Sequence, residues 1–332
     1  MKHLVLSSDL TRPLPFYLAM EEWAAMRLPA DDYLFTWIVD PTVIFGRNQR
    51  IDLEVNLDYC HEKGIATYRR KSGGGCVYAD RNNIMFSHVT GSGEINGVFG
   101  NYTSMIAEML RSLGLDASAT GRNDILIGDK KVSGNAFYRI PDRSIAHGTM
   151  LYDVDIPTMM QAITPSRAKL ESHAVASVES RVTSINRHID ISIEEFRNYA
   201  ISYLTDSEII LTEQDEREIY ELMQPYLAAE WIMGQRLAGD IRREVKLPGV
   251  GEFRVDTLMR HGRIAHVNLT GDFFLTGDLD NSILKRIEGC LPTRTALEER
   301  LLGTDVSEII HGLSTNEFLN LIIPQPVIRN TK

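Results

Sequence analysis

Cysteine is scarce in this chain: Cys60, Cys76 and Cys290 are the only three among 332 residues. So few and so scattered, they speak against a disulfide framework or a cysteine zinc site, and they suit a reducing cytoplasm. A basic excess is missing too. Lys and Arg number 35 against 45 Asp and Glu, a net charge of −10, which argues against non-specific nucleic-acid binding because that needs a basic surface. No apolar run reaches the length needed to cross a bilayer. Near the start, Ser7, Ser8, Asp9 and Arg12 interrupt the run that a secretory signal would require. Internal repeats and low-complexity segments are also lacking. The expectation is a cytoplasmic protein that engages neither nucleic acid nor membrane.

The length favours two domains over one, and 43% apolar with 24% charged residues is ordinary for a soluble globular enzyme. Hydrophobic spacing predicts a strand over 4–6, a helix over 15–28 closed by Pro29, and strands over 33–39 and 43–45 on either side of Pro41. A short helix over 56–63 is capped by Asn56 and stopped by Gly64. Strands over 66–70, 76–79 and 84–89 surround a glycine run. Phe99, Tyr102, Ile106, Met109, Leu110 and Leu113 then recur at helical spacing until Gly114. A hairpin turns at Gly128-Asp129-Lys130 between 125–127 and the run from Val132. A strand over 146–153 and helices over 193–204 and 212–227 follow. After Gly239 the texture changes: strands over 241–247, 253–259 and 264–269 precede helical segments over 279–287, 294–301, 306–312 and 315–323. The fold class is therefore α+β, divided into residues 1–238 and a smaller α+β unit over 239–328.

Three segments carry chemistry: Arg69-Arg70-Lys71-Ser72-Gly73-Gly74-Gly75-Cys76-Val77-Tyr78, Gly121-Arg122-Asn123-Asp124 and Lys130-Lys131-Val132-Ser133-Gly134-Asn135-Ala136. The first sets three cations beside three consecutive glycines. Glycines admit positive φ and let another molecule approach the bare main chain. Successive N–H groups there form a nest for an anion, reinforced by charge-assisted bonds from arginine. In an acidic chain this points to a local phosphate or carboxylate cradle rather than a basic face. Gly-Arg-Asn-Asp alone is also good turn chemistry.

With Gly46-Arg47-Asn48-Gln49, His147-Gly148-Thr149 and Ser180-Arg181-Val182-Thr183, these stretches resemble the long, two-domain lipoate–protein ligase A family. One such motif is weak evidence; six in the family's order are specific. The resemblance implies a biotin/lipoate ligase-like catalytic domain with a mixed or antiparallel sheet, followed by a small accessory domain. It implies that lipoate and ATP form lipoyl-AMP with release of pyrophosphate, after which a carrier lysine takes the acyl group and AMP leaves. ATP with Mg²⁺ and lipoate enter as substrates, with no tightly bound prosthetic group. The implied acceptors are lipoyl domains of 2-oxoacid dehydrogenase E2 subunits, the glycine cleavage H protein, or both, served by a monomeric enzyme.

Residue by residue, the resemblance selects Lys131 over its neighbour Lys130 as the central catalytic group, an ammonium holding carboxylate and α-phosphate oxygens together. Strand alternation puts the two lysines on opposite faces. Arg70, Ser72, Gly73, Gly74 and Gly75 would take the carboxylate and phosphate region, with Arg69 alongside. Gly75, Val77, Tyr78, Asn123, Asp124 and Lys131 would contact the nucleotide, and Asp124 is the candidate Mg²⁺ ligand. Trp37 and His147 would line the acyl pocket, each also readable as ordinary core. Arg181 is readable either as support for the site or as a structural ion pair. Glu230, Trp231 and Gly234 mark the domain junction, where the second domain would swing between half-reactions.

Several positions depart from the family pattern: Lys71, Cys76, Ala79, Ala146, His173-Ala174 and Glu179. They bear on acyl and carrier preference more than on the chemistry. Rival readings are a cofactorless octanoyl or lipoyl transferase using Cys76 as a thiolate, a non-catalytic lipoate-binding protein, and, ranked lower, a biotin ligase.

Overall fold

A computed structural model describes residues 1–8, 10–91, 95–120, 123–163, 180–234 and 239–323. The expectations placed on Gly121, Arg122, His173, Ala174 and Glu179 lie outside the described residues. The chain divides into two units, Met1–Ser72 with Cys76–Gly234, and Gln235–Lys332 with Gly73–Gly75.

The first unit is built on strands β1 (Lys2–Val5), β2 (Tyr33–Trp37), β6 (Asn83–Gly91), β7 (Ala117–Ala119), β8 (Asp124–Ile127), β9 (Lys130–Ile140), β10 (Arg143–Leu151) and β11 (Ser207–Ile210). They form one sheet in the order β11-β1-β2-β6-β10-β9-β8-β7. It is parallel across β11-β1-β2 and antiparallel from β2 onward. A second sheet orders β4 (Ala66–Arg69), β3 (Thr42–Phe45) and β5 (Val77–Ala79).

Helix α1 (Leu14–Arg27) starts with Pro15 in its first turn, where the missing N–H costs nothing. Every residue from Leu14 to Ala25 is buried, because the helix packs both on the main sheet and on the helix over Glu213–Leu227. A helix enclosed on all sides has no charged face to give to water. Yet it carries Glu21 and Glu22, 0% and 8% exposed. Buried carboxylates require hydrogen-bonded partners, and these two organise the site described below. On the opposite side of the sheet, helix Ile95–Ser112 buries Phe99, Tyr102, Ile106, Met109 and Leu110, as its spacing predicts. The short helix Leu57–Glu62 is capped by the Asn56 side chain and followed by Gly64 at φ +65°.

In the second unit, strands Ile241–Leu247, Gly251–Arg260 and Arg263–Asp272 form an antiparallel meander over a core that includes Phe253, Val255, Phe273, Ile283, Ile310 and Phe318. The helix expected over 306–312 is only a single 3-10 turn, Val306–Glu308, with Gly312 at φ +75°. Among the described residues no helix is long and apolar enough to cross a membrane.

Candidate active site

The β8–β9 hairpin does not alternate simply. Leu126 pairs with Lys131, but Ile125 pairs with Ser133, so Val132 is an extra residue in a β-bulge. The bulge decides where Lys131 points. Partners across an antiparallel pair share a face, and Asp124 pairs with Gly134. Lys131 therefore joins Asp124 and Gly134 on one face, whereas unbroken alternation would set it with Ser133 and Asn135 on the other. The Lys131 Nζ lies 2.7 Å from Asp124 Oδ1. A side chain at Gly134 would place its Cβ only 2.8 Å from that nitrogen, so the lysine folds back across a residue that must stay bare. The backbone of Lys131 is clamped from outside: its N–H donates to the Arg181 carbonyl (2.7 Å), and its own carbonyl accepts from the Thr183 N–H (2.9 Å). The Ser-Arg-Val-Thr segment thus braces the lysine through its main chain.

Asn123 and Asn135 brace the same hairpin. The Asn123 carbonyl accepts from both the N–H and the side-chain amide of Asn135, each at 2.9 Å. Among the described residues no cluster of three or more His, Cys, Asp or Glu side chains could hold a metal. Asp124 offers a single carboxylate to a cation. That suits Mg²⁺, which commonly takes one or two carboxylates together with substrate phosphates.

The face that carries Lys131 continues across β9, β10, β6 and β2. Ala136 pairs with His147, His147 with Ser87, and Ser87 with Phe35, so these share that face with Trp37 and Tyr138. A buried network occupies it beneath α1. Arg70 Nε donates to Ser72 Oγ at 2.9 Å, and Ser72 Oγ lies 2.7 Å from His147 Nε2. His147 Nδ1 lies 2.9 and 3.1 Å from the two Glu21 oxygens. Ser87 Oγ donates to Glu21 at 2.6 Å and accepts from Trp37 Nε1 at 2.9 Å. Tyr138 adds a longer contact of 3.4 Å. Trp37 stacks on Tyr17 with a 5.0 Å centroid separation.

Next to it, Glu22 takes Lys71 Nζ at 2.7 Å and the Tyr226 hydroxyl, and the Lys71 ammonium sits 5.0 Å above the Tyr226 ring. Burial, with Glu22 and Glu21 close by, drives the Tyr226 hydroxyl far above its ordinary range. Lys71, unusual in sequence, is therefore tied to α1.

The structure corrects the role expected for Arg69. Arg69 is 4% exposed, and its guanidinium lies over the Phe45 ring. It donates to the carbonyls of Arg47, Gln49, Trp231 and Ile232 at 2.6–3.0 Å. Burial pulls its pKa down to about 10, leaving it cationic. Arg69 is a structural tie, and the Gly46-Arg47-Asn48-Gln49 turn exists partly to receive it. Trp231 donates its indole N–H to the Arg69 carbonyl at 3.0 Å and packs against the first unit's own core.

Val77 and Tyr78 alternate on β5, one against the α1 core and the other, 3% exposed, within a separate apolar cluster. Half-buried Cys76 packs against that second cluster. Gly73–Gly75 group with the second unit. There Gly74 takes φ +86° and its N–H donates to the Phe273 carbonyl at 3.1 Å. One donor of the expected nest is thus directed to protein.

Residues 13–205 match the lipoyl protein ligase A/B catalytic domain, which is more than half of the chain. The chain belongs to the lipoyl protein ligase A/B family. Residues 238–322 match the bacterial lipoate protein ligase C-terminus. The sequence is 33% identical to lipoate–protein ligase 1 of Staphylococcus aureus over 318 residues, covering 92% of this chain and 95% of that one. Its fold is similar to that of a bipartite lipoate protein ligase of Thermoplasma acidophilum, studied with its E2 lipoyl domain. The TM-score is 0.64 at 29% identity, over 72% of this chain and 98% of that one. It is likewise similar to a lipoate–protein ligase A bound with ATP, at a TM-score of 0.61 and 29% identity, over 70% and 98%.

Glu21, Glu22, Ser87 and Tyr138 are the site residues that sequence reasoning missed. The available signal was two adjacent glutamates within an otherwise apolar helix, an arrangement that demands buried partners.

Proposed function

We propose that this family member carries out ATP-dependent ligation of lipoate on the α1 face of the main sheet. In the first step a lipoate carboxylate oxygen attacks the α-phosphorus of ATP; the P–O bond to pyrophosphate breaks and lipoyl-AMP forms. In the second, the amine of a carrier lysine attacks the acyl carbon, AMP departs, and the amine proton is lost.

The observation that carries this reading is the bulge-directed ammonium of Lys131, set on the same sheet face as Arg70, Ser72 and His147. A fixed cation there neutralises charge that builds on the carboxylate and α-phosphate oxygens in both transition states. Arg70 supplies a planar fork for an oxyanion, and Ser72 a hydroxyl beside it. Trp37 and His147 border the acyl chain, whose methylenes each gain about 0.8 kcal/mol on burial. Val77 and Tyr78 would meet the nucleotide through backbone groups, and Asn123 and Asp124 would meet it from the hairpin that carries Lys131. Mg²⁺, held by Asp124 with the phosphates, would supply charge neutralisation on the pyrophosphate leaving group.

The natural acceptors are lipoyl domains of 2-oxoacid dehydrogenase E2 subunits or the glycine cleavage H protein, met by a monomer in the cytoplasm with domains at 1–238 and 239–328. The test is incubation of the full chain with ATP, Mg²⁺, candidate carriers and either lipoate or octanoate, read by pyrophosphate release and by carrier mass. Lipoate-dependent pyrophosphate from Cys76→Ala excludes the thiolate transferase. Tight lipoate binding without lipoyl-AMP would instead mark a non-catalytic binder.

A further inference from the structure

Two consecutive residues of α1 hold two different parts of the site. Glu21 meets His147 of β10 with both oxygens, at 2.9 and 3.1 Å. Glu22, one residue on, meets Lys71 Nζ with both of its own, each at 2.7 Å. Lys71 lies in the chain between Arg70 and Ser72, and Ser72 Oγ joins Arg70 Nε at 2.9 Å to His147 Nε2 at 2.7 Å. The same helix therefore fixes the histidine and the segment that meets it.

The main chain on either side of Lys71 is anchored elsewhere, on the smaller sheet of this unit. The Arg70 N–H donates to the Phe45 carbonyl of β3 at 3.0 Å, and its Nη1 donates to the Ile44 carbonyl at 3.1 Å. The Ser72 carbonyl accepts from the Arg47 N–H at 2.9 Å. His147 belongs to the main sheet. Lys71 spans from one to the other. Its ammonium reaches Glu22 and lies 5.0 Å above the ring of Tyr226, whose hydroxyl also donates to Glu22. Glu22 and Tyr226 are both buried, so the anchor is part of the packed interior. An uncharged side chain at position 71 could not make this tie.

We infer that Lys71 is a positioning residue for the carboxylate seat: it ties the Arg70–Ser72 segment to α1 and sets the spacing of Arg70 and Ser72 from His147 before lipoate arrives. The inference rests on the reading that lipoate binds here. Its effect is preorganisation, because a seat already ordered spares the ligand the cost of ordering it. Lys71 acts through its neighbours, with its charge matched by Glu22.

A purely structural pair would serve only to neutralise Glu22. Removing Lys71 alone leaves a buried carboxylate without its cation, which destabilises the fold. Removing both charges relieves that burden but leaves the tie broken. The double variant therefore separates the two roles.

The test measures lipoate affinity by calorimetry without ATP, lipoyl-AMP formation at saturating lipoate, and the thermal midpoint, all on the full chain. Lys71→Met should weaken lipoate binding by ~5–30-fold, the cost of ordering two side chains on binding. Its rate at saturation should stay within about twofold of wild type, as expected when binding lost from the ground state is lost equally from the transition state. Lys71→Met combined with Glu22→Gln should recover the thermal midpoint and keep the weak binding. Lys71→Arg, which can still reach Glu22, should restore most of the affinity. Full affinity in Lys71→Met overturns the proposal, as does a double variant that regains affinity together with stability. The double variant buries no unpaired charge, so its affinity decides the matter even where Lys71→Met alone is unstable. Wild-type protein that binds no lipoate overturns the underlying reading as well, so the two failures are told apart.

Discussion

Lys131 and Asp124 face each other across the β8–β9 hairpin with 2.7 Å between Nζ and Oδ1. The lysine proposed to hold the reacting oxygens is thus paired with the carboxylate proposed to hold the metal. Nucleotide and cation must divide this pair. Each side chain is about a third exposed, at 35% and 32%, so separation is cheap: such pairs are worth ~0.2–1 kcal/mol.

Lys131→Ala should therefore lower lipoyl-AMP formation by ~10²–10³-fold while leaving the thermal midpoint nearly unchanged. Pyrophosphate release and thermal denaturation on one preparation check both halves. A variant that unfolds in step with its loss of activity would refute the assignment.

Gly134→Ala tests the bulge geometry. The new methyl would lie 2.8 Å from Lys131 Nζ and 2.9 Å from its Cε, atoms at the flexible end of a side chain. The ammonium should swing aside at small cost in stability, and kcat should drop by ~10–100-fold for a displacement of about an ångström. Unchanged kcat would mean that the position of the ammonium over Gly134 is irrelevant to turnover.

Arg69→Lys removes a planar fork from a ring of main-chain carbonyls. An ammonium cannot reach them together, and the loss should be about 2–3 kcal/mol, seen as a lower urea midpoint. Lipoyl-AMP formation per folded molecule should survive. Loss of nucleotide affinity with full stability would return Arg69 to the binding site.

His88 is 9% exposed, stacks on Tyr102, and among the described residues has no hydrogen-bond partner on either ring nitrogen. Burial lowers its pKa below 6.5. The unfolded chain therefore binds the proton more tightly, and stability falls as pH drops through 6.5 toward the folded value. His88→Phe should stabilise by about 1–2 kcal/mol at pH 7 and remove this component of the acid slope. Parallel pH profiles for the two proteins would show that His88 does not titrate with folding.

Much was legible in the residues. The helix carrying Phe99, Tyr102 and Ile106, the Asn56 cap and the three-strand meander after Gly239 all follow from spacing and punctuation, which are local. The 306–312 segment failed as a helix: after the turn at Val306–Glu308 the chain reaches Gly312 at φ +75°. Arg69 and Arg70 are adjacent cations in one motif, indistinguishable by type. One is fixed by carbonyls from residues 46–49 and 231–232, the other turns to Ser72, and only packing separates them.

The motif order by itself determined the family and the kinds of group at the site: a lysine after a hairpin, cations beside glycines, a histidine in a strand. Tertiary structure decided where those groups point. Alternation alone would set Lys131 on the wrong face; the register shift at Val132 turns it, because one extra residue in a strand of period two exchanges its faces. The same holds for Glu21. Its helix is enclosed by partners distant in sequence, and that enclosure obliges its carboxylate to find His147.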